Sequence, residues 1–224
     1  MSHAAPANYI WWLMSRSAGM VALLLVTASV LLGLAMAAKV IPPRRKKDAV
    51  RLHEHLALMG LAAISAHGLL LLGDTWLKPG LKGIAVPFAM GYRPLWTGLG
   101  ILVGYLAAAL SLSFYARKQI GVKLWRKMHR FTVVVYALGL VHALGSGTDA
   151  QIPAVRFAML ASVVPVLFLF ALRMVRERGQ KRARLAAQVA KKGESDELHT
   201  EDRRGGVYRA GGLRGSSPAG VPAR

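Results

Sequence analysis

The chain has 224 residues, of which 54% are hydrophobic, it contains no cysteine, and it carries a formal net charge of +20; its mean hydropathy is +0.38. A soluble domain of this length is more polar, and the missing cysteines exclude disulfides, thiolate-held iron–sulfur clusters and covalent c-type haem attachment. The basic residues cluster between apolar blocks and in the C-terminal tail, which favours membrane topology and anionic headgroups over nucleic acid as the reason for the charge.

In chain order, the sequence predicts a short external N-terminus (residues 1–9) and then five spans, at about 10–38, 51–73, 94–116, 125–146 and 153–175. Ala18 to Ala38 and Leu95 to Ala116 carry no charge, and Ile152 to Leu172 is interrupted only by Arg156. Each block is long enough to cross a hydrocarbon core of about 30 Å at about 1.5 Å per residue. The blocks are apolar on all sides, unlike the one-sided stripes of a soluble helical core. The first block has no basic segment before it and is expected to remain as a span rather than be cleaved as a signal peptide.

The loop after the first span holds Lys39, Arg44, Arg45, Lys46, Lys47 and Arg51, and the loop after the third holds Arg117, Lys118, Lys123, Arg126, Lys127 and Arg130. The other two connections are poor in charge. The positive-inside rule then predicts an external N-terminus and a cytoplasmic C-terminus in a cell (inner or plasma) membrane. Residues 74–94, with three prolines and three glycines, read as an outer loop whose Trp76, Phe88 and Tyr92, with Trp96 just beyond, sit at the interface. Residues 176–224 read as a basic cytoplasmic tail, with an interfacial helix at its start and disorder over most of its length. The fold class expected is therefore all-α: a polytopic transmembrane helical bundle of about five spans with a disordered basic C-terminal tail. No Gly-rich dinucleotide fingerprint follows a strand, so no attached flavin or nicotinamide domain is expected.

Seven histidines occur. His3 and His199 belong to the tails. His53 and His67 are fourteen residues apart on the second span, about 21 Å of rise and within about 40° of one face. His129 and His142 are thirteen apart on the fourth, about 19.5 Å. Both spans run in the same direction, so His53 and His129 share the cytoplasmic level and His67 and His142 the outer level. Two matched imidazole pairs stacked along the membrane normal are what two bis-histidine b haems need. Ionisable groups inside a membrane are costly and usually functional. One feature fits a straight helix badly: thirteen residues turn the chain by about 220°, so His129 and His142 would face different ways. A local over- or under-winding, or a bent first turn at His129, is required. His55, two residues from His53, points elsewhere and is expected to be interfacial.

The segments RLHEHLALMGLAAISAHGLLLL and KLWRKMHRFTVVVYALGLVHALGSGTD resemble the ferric reductase-like transmembrane family. That family includes the membrane domains of NADPH oxidases and iron reductases and the haem subunit of the bacterial periplasmic methionine sulfoxide reductase system. Its mark is a histidine pair with thirteen intervening residues on one helix and a pair with twelve or thirteen on another. The resemblance covers about residues 10–175. It implies two b haems, with iron held by His53, His67, His129 and His142, and electron flow from the cytoplasm to the outer face. The oxidases carry six spans and a cytosolic flavin–nicotinamide module, whereas five spans and a basic tail are expected here. The chain thus looks like a stand-alone haem subunit, whose donor is a separate cytoplasmic flavin reductase or a membrane quinol. Its acceptor would be an external protein, iron or a small molecule. The methionine sulfoxide reductase subunit usually lacks the histidine matching His53, so its presence here implies a complete second site.

Arg16, in SRSAG near the outer end of the first span, is the residue expected to pair with a haem propionate, since guanidinium matches carboxylate. Arg93 and Arg156 are further outer candidates, while Arg51, Arg126 and Arg130 flank the inner pair. Gly60, Gly68, Gly139 and Gly145 remove bulk near the haem faces or mark close helix packing. The competing readings are another four-histidine dihaem cytochrome that oxidises a quinol or ascorbate-like donor, and a non-redox transporter or assembly factor. The last leaves four level-matched histidines without a task.

Overall fold

The computed structural model describes the backbone of residues 7–212 and the side chains of residues 9–193. Helix α1 spans Ala7–Ala37. It ends where Lys39 adopts a left-handed φ of 56°. Val40 then donates back to the Ala35 carbonyl (2.9 Å) and Lys39 to Met36 (3.1 Å), the two bonds of a Schellman cap. Pro42 and Pro43 follow and prevent continuation. Helix α2 spans Lys46–Leu70 and tightens into a 3-10 turn at Leu71–Gly73. The loop after it is organised by the buried Asp74, whose carboxylate accepts the N–H groups of Trp76 (2.8 Å) and Leu77 (2.9 Å). It contains a short helix, α3 (Gly80–Ala85). Of the aromatics expected at the interface, Trp76 and Tyr92 meet edge to face at 5.9 Å. Phe88 is half exposed and backs onto Gly98.

Helix α4 (Pro94–Leu112) opens with proline at its first turn, where the missing N–H costs nothing. After α5 (Arg117–Ile120), Gly121 turns the chain at φ 87°. The fourth apolar block then forms two helices, α6 (Val122–His129) and α7 (Thr132–Ser146). Between them Arg130 donates to Lys127 (3.3 Å) and Phe131 to Met128 (2.9 Å), both three residues back. The Thr132 hydroxyl adds a bond to the His129 carbonyl (2.9 Å). A three-residue turn rotates the chain by about 20° more per residue than an α-helix does. These two tighter steps supply only about 40° of the roughly 140° that the thirteen-residue spacing lacks, and the rest comes with the break between α6 and α7.

The fifth block is also interrupted, into α8 (Pro153–Ala161) and α9 (Val163–Gly212). Pro165 has no N–H to offer the Ala161 carbonyl, and the helix breaks at Ser162, one turn earlier. Ser162 takes up the slack with bonds to the Met159 carbonyl (2.6 Å) and the Tyr136 hydroxyl (2.7 Å). No strand occurs among the described residues.

Five helical segments are long and apolar enough to cross a membrane: Tyr9–Ala37, Pro43–Gly73, Pro94–Leu112, Val122–Ser146 and Pro153–Gly193. The chain is a multi-pass membrane protein. Its surface agrees: Leu24 (69% exposed), Phe157 (74%) and Leu167 (60%) are positions that water would penalise and lipid accepts. The protein–protein core is correspondingly small. Val30 and Leu34 of α1 meet Tyr136 and Leu140 of α7, with Met159 and Val166 completing the cluster. On its other side α7 packs Val135 against Val103 and Leu110 of α4. α1 lies along α2, where Gly60 lets the two backbones approach: a Cβ there would stand 3.3 Å from Val26 Cγ2.

The chain divides into two compact units, Met1–Arg173 and Met174–Arg224. The first contains every residue of the candidate site described below. In the second, the backbone is helical to Gly212. Residues 213–224 and the side chains of 194–212 lie outside the described residues, and with them the His199 side chain and the end of the expected tail; His3 lies outside them as well.

Candidate functional site

The structure brings four of the sequence-selected histidines together in two pairs. The rings of His53 and His129 have centroids 5.9 Å apart and planes at 89°. Those of His67 and His142 are 6.3 Å apart at 70°. Early residues of α2 and α6 meet, and late residues of α2 and α7 meet, so the second and fourth spans are parallel. His55 is turned away and bonds the Arg51 carbonyl of its own helix at 2.7 Å.

Three of the four rings are seated by one device. His67 Nδ1 lies 2.8 Å from the Ser15 carbonyl, His53 Nδ1 2.9 Å from the Ser29 carbonyl, and His142 Nδ1 2.7 Å from the Trp96 carbonyl. A carbonyl only accepts, so each Nδ1 carries the proton and each Nε2 keeps its lone pair. Each accepting carbonyl belongs to a helix residue followed, four positions on, by glycine: Gly19, Gly33 and Gly100. A Cβ on Gly19 would stand 2.9 Å from His67 Nδ1, and one on Gly33 3.1 Å from His53 Cε1; one on Gly100 would overlap the His142 ring. A helical carbonyl already bonds the N–H four residues ahead. Removing the side chain at that position bares the carbonyl's second lone pair to a ring from the neighbouring helix. The serine hydroxyls reinforce two of the seats: Ser15 Oγ donates to the His67 carbonyl at 2.8 Å and lies 3.1 Å from Nδ1, and Ser29 Oγ lies 3.1 Å from His53 Nδ1.

His129 is different. Its buried Nδ1 and the Nε1 of Trp125 are the buried side-chain nitrogens without a hydrogen-bond partner among the described residues. The two rings stack on each other, with centroids 5.2 Å apart and planes at 25°.

The His67/His142 pair opens on a cavity of about 1080 Å³, lined by His67, His142, Gly19, Gly104, Tyr136 and Arg16 among others. That reaches the upper end of the range of about 300–1,000 Å³ usual for sites that engulf a large ligand. Gly68 and Gly139 also border it, while Gly60 and Gly145 serve packing against Val26 and Trp96. Arg16 makes a two-point ion pair with Asp149, its Nε 3.0 Å from Oδ2, and lies over the Trp12 ring at 4.1 Å. Arg93 donates to the Gly145 carbonyl at 2.7 Å, and Arg156, Arg51, Arg126 and Arg130 are exposed.

The donor set suits haem better than a bare ion. No group of three or more metal-binding side chains occurs among the described residues. Two imidazoles leave an ion under-coordinated unless the ligand itself brings four nitrogens, as a porphyrin does. Metal–imidazole bonds of about 2.0–2.1 Å would put the ring centroids about 6.4 Å apart, close to both separations found here.

Ser15, Gly19, Ser29, Gly33, Gly100, Trp125 and Asp149 carry no expected site role in the sequence, and Trp96 is expected only as an interface aromatic. A signal for four of them was present: Ser15/Gly19 and Ser29/Gly33 repeat at fourteen residues, the same interval as His53 and His67. No solved structure matches the chain. The family model described as ferric reductase like transmembrane component matches residues 18–140, which include all of α1 beyond its first turns, His53 and His67 of α2, and His129. The chain belongs to the ferric reductase-like transmembrane component family, whose domains carry electrons across membranes.

Proposed function

We propose that the chain is the haem subunit of an oxidoreductase, holding two b haems, one between His53 and His129 and one between His67 and His142. The observation that carries this reading is the pair of centroid separations, 5.9 and 6.3 Å, at two levels of one helix bundle. Bound haem supplies iron that alternates between ferric and ferrous states. The protein's part is to hold the ligands still. Carbonyl-bonded Nδ1–H groups fix the tautomer, orient the rings and make Nε2 a better donor. The lipid-facing helices exclude water and lower the local dielectric. Arg16 engages Asp149 through Nε and Nη2, which leaves Nη1 for a propionate of the outer haem.

The charged loops support a cytoplasmic C-terminus and an external N-terminus, so that the His53/His129 pair meets the donor and the His67/His142 pair the acceptor. The donor is a separate flavin reductase or a membrane quinol, and the acceptor an external protein, iron or small molecule. Purified protein should carry about two non-covalent b haems per chain, with a low-spin spectrum on reduction. Fully folded protein without haem, from haem-replete cells, would overturn the proposal.

A further inference from the structure

A row of aromatic rings runs from the surface to the inner histidine pair. Tyr115, 57% exposed in the loop after α4, meets Phe114 edge to face at 5.4 Å. Phe114 meets Trp125 at 5.9 Å, and Trp125 stacks on His129 at 5.2 Å. His129 faces His53 at 5.9 Å. Each step lies in the range of about 4.5–7 Å at which rings are in contact. No comparable row reaches the outer pair among the described residues, and its rings instead border the large cavity.

The row is also held in place at its exposed end. The Tyr115 hydroxyl donates to Glu54 Oε1 at 3.1 Å, one residue from His53. Arg117 lies over the Phe114 ring at 3.8 Å and donates to the Phe114 carbonyl at 2.7 Å. At its inner end Trp125 leaves its own Nε1–H unpartnered in a buried position. Burying an indole N–H without an acceptor is costly, and a phenylalanine or leucine would avoid that cost. What the structure shows at this position is the indole face laid against the His129 ring. Lys118, three residues from Tyr115, and Lys123, Arg126 and Lys127, which flank Trp125 in sequence, are all exposed.

We propose that Tyr115, Phe114 and Trp125 form the electron inlet to the His53/His129 site, and that their basic surroundings receive an acidic protein carrying a reduced flavin. The inference rests on the haem reading above. Tunnelling weakens steeply across gaps and is carried best through atoms in contact, so a stacked indole joins the surface to the axial ligand. Each passage takes one electron from the reduced flavin and converts the inner iron from ferric to ferrous. No bond to a ring forms or breaks, and the flavin's protons are released to water on its own side. The cationic rim raises the encounter rate with an acidic donor, an effect that salt screens.

The test uses the full-length, haem-loaded protein in lipid nanodiscs, with photoreduced flavin mononucleotide as the reductant and stopped-flow absorbance as the readout. Phe114→Leu does not touch His129, so it isolates conduction from ligand positioning. It should slow reduction of the inner haem by an order of magnitude, with haem content and midpoint potential unchanged. Trp125→Leu should slow it at least as much, Trp125→Phe less, and the lipid-facing Phe157→Leu not at all. Should Trp125→Leu lose haem, Phe114→Leu still decides. A haem-replete Phe114→Leu protein that reduces at the wild-type rate overturns the inlet and leaves the haem sites standing. Wild-type protein that binds no haem overturns the preceding reading, a different result visible in the first spectrum.

Discussion

Gly100 and His142 touch across α4 and α7 so closely that a single methyl on Gly100 would overlap the imidazole. The contact is what lets His142 reach the Trp96 carbonyl one turn earlier on α4. Gly100→Ala should therefore displace the ring and empty or perturb the outer site. Gly19→Val should do the same through His67, and Gly33→Val should act on the inner site through His53. Gly179→Ala is the control, because nothing lies within 4 Å of a Cβ there and Gly179 is not among the residues lining the cavity. Haem content and reduced spectra of the four variants provide the measurement. A silent Gly100→Ala would show that the seat is not needed.

The ring pairs assign the ligands. His67→Ala and His142→Ala should remove or perturb one and the same haem and stop delivery to an external acceptor. His53→Ala and His129→Ala should affect the other haem and stop reduction from the inner side. Loss of a common haem in His67→Ala and His129→Ala would contradict the pairing, since those levels are separated by about 20 Å of helix rise. His129 has no carbonyl seat, so His129→Ala should perturb its haem with the least effect on the fold.

Arg16 and Asp149 join the first half of α1 to the turn before α8. Their side chains are 27% and 14% exposed, so solvent screens the pair in part. Arg16→Gln leaves the less exposed carboxylate unpaired and should cost about 1–2 kcal/mol of stability, discounted from the larger values for fully buried pairs. Asp149→Asn leaves a guanidinium that still rests on Trp12 and should cost less. Thermal unfolding of the haem-free protein, followed by circular dichroism, would rank the two, and equal losses would contradict this account.

The loop charges give a topology that reporters can test. A reporter fused after Arg176 should behave as cytoplasmic and one fused near Gly147 as external. The opposite pattern would exchange the donor and acceptor sides and move the aromatic inlet to the outer face.

The sequence by itself determined the number of spans, the helical class and the two histidine intervals, because each is a property of one segment: an uninterrupted apolar length, or a rise per residue multiplied by a spacing. It also exposed the phase error at His129 without resolving it. Only the tertiary structure located the correction, at the break between α6 and α7 where Arg130 and Phe131 bond carbonyls three residues back. The seats of the rings were likewise a matter of neighbours. Whether Gly19 faces His67 depends on how α1 lies along α2, and whether Trp96 offers its carbonyl to His142 depends on how α4 meets α7. Arg16 illustrates the limit most plainly. Its charge and depth were legible in SRSAG, but the carboxylate that claims two of its nitrogens lies 133 residues away, and only folding brings Asp149 to it.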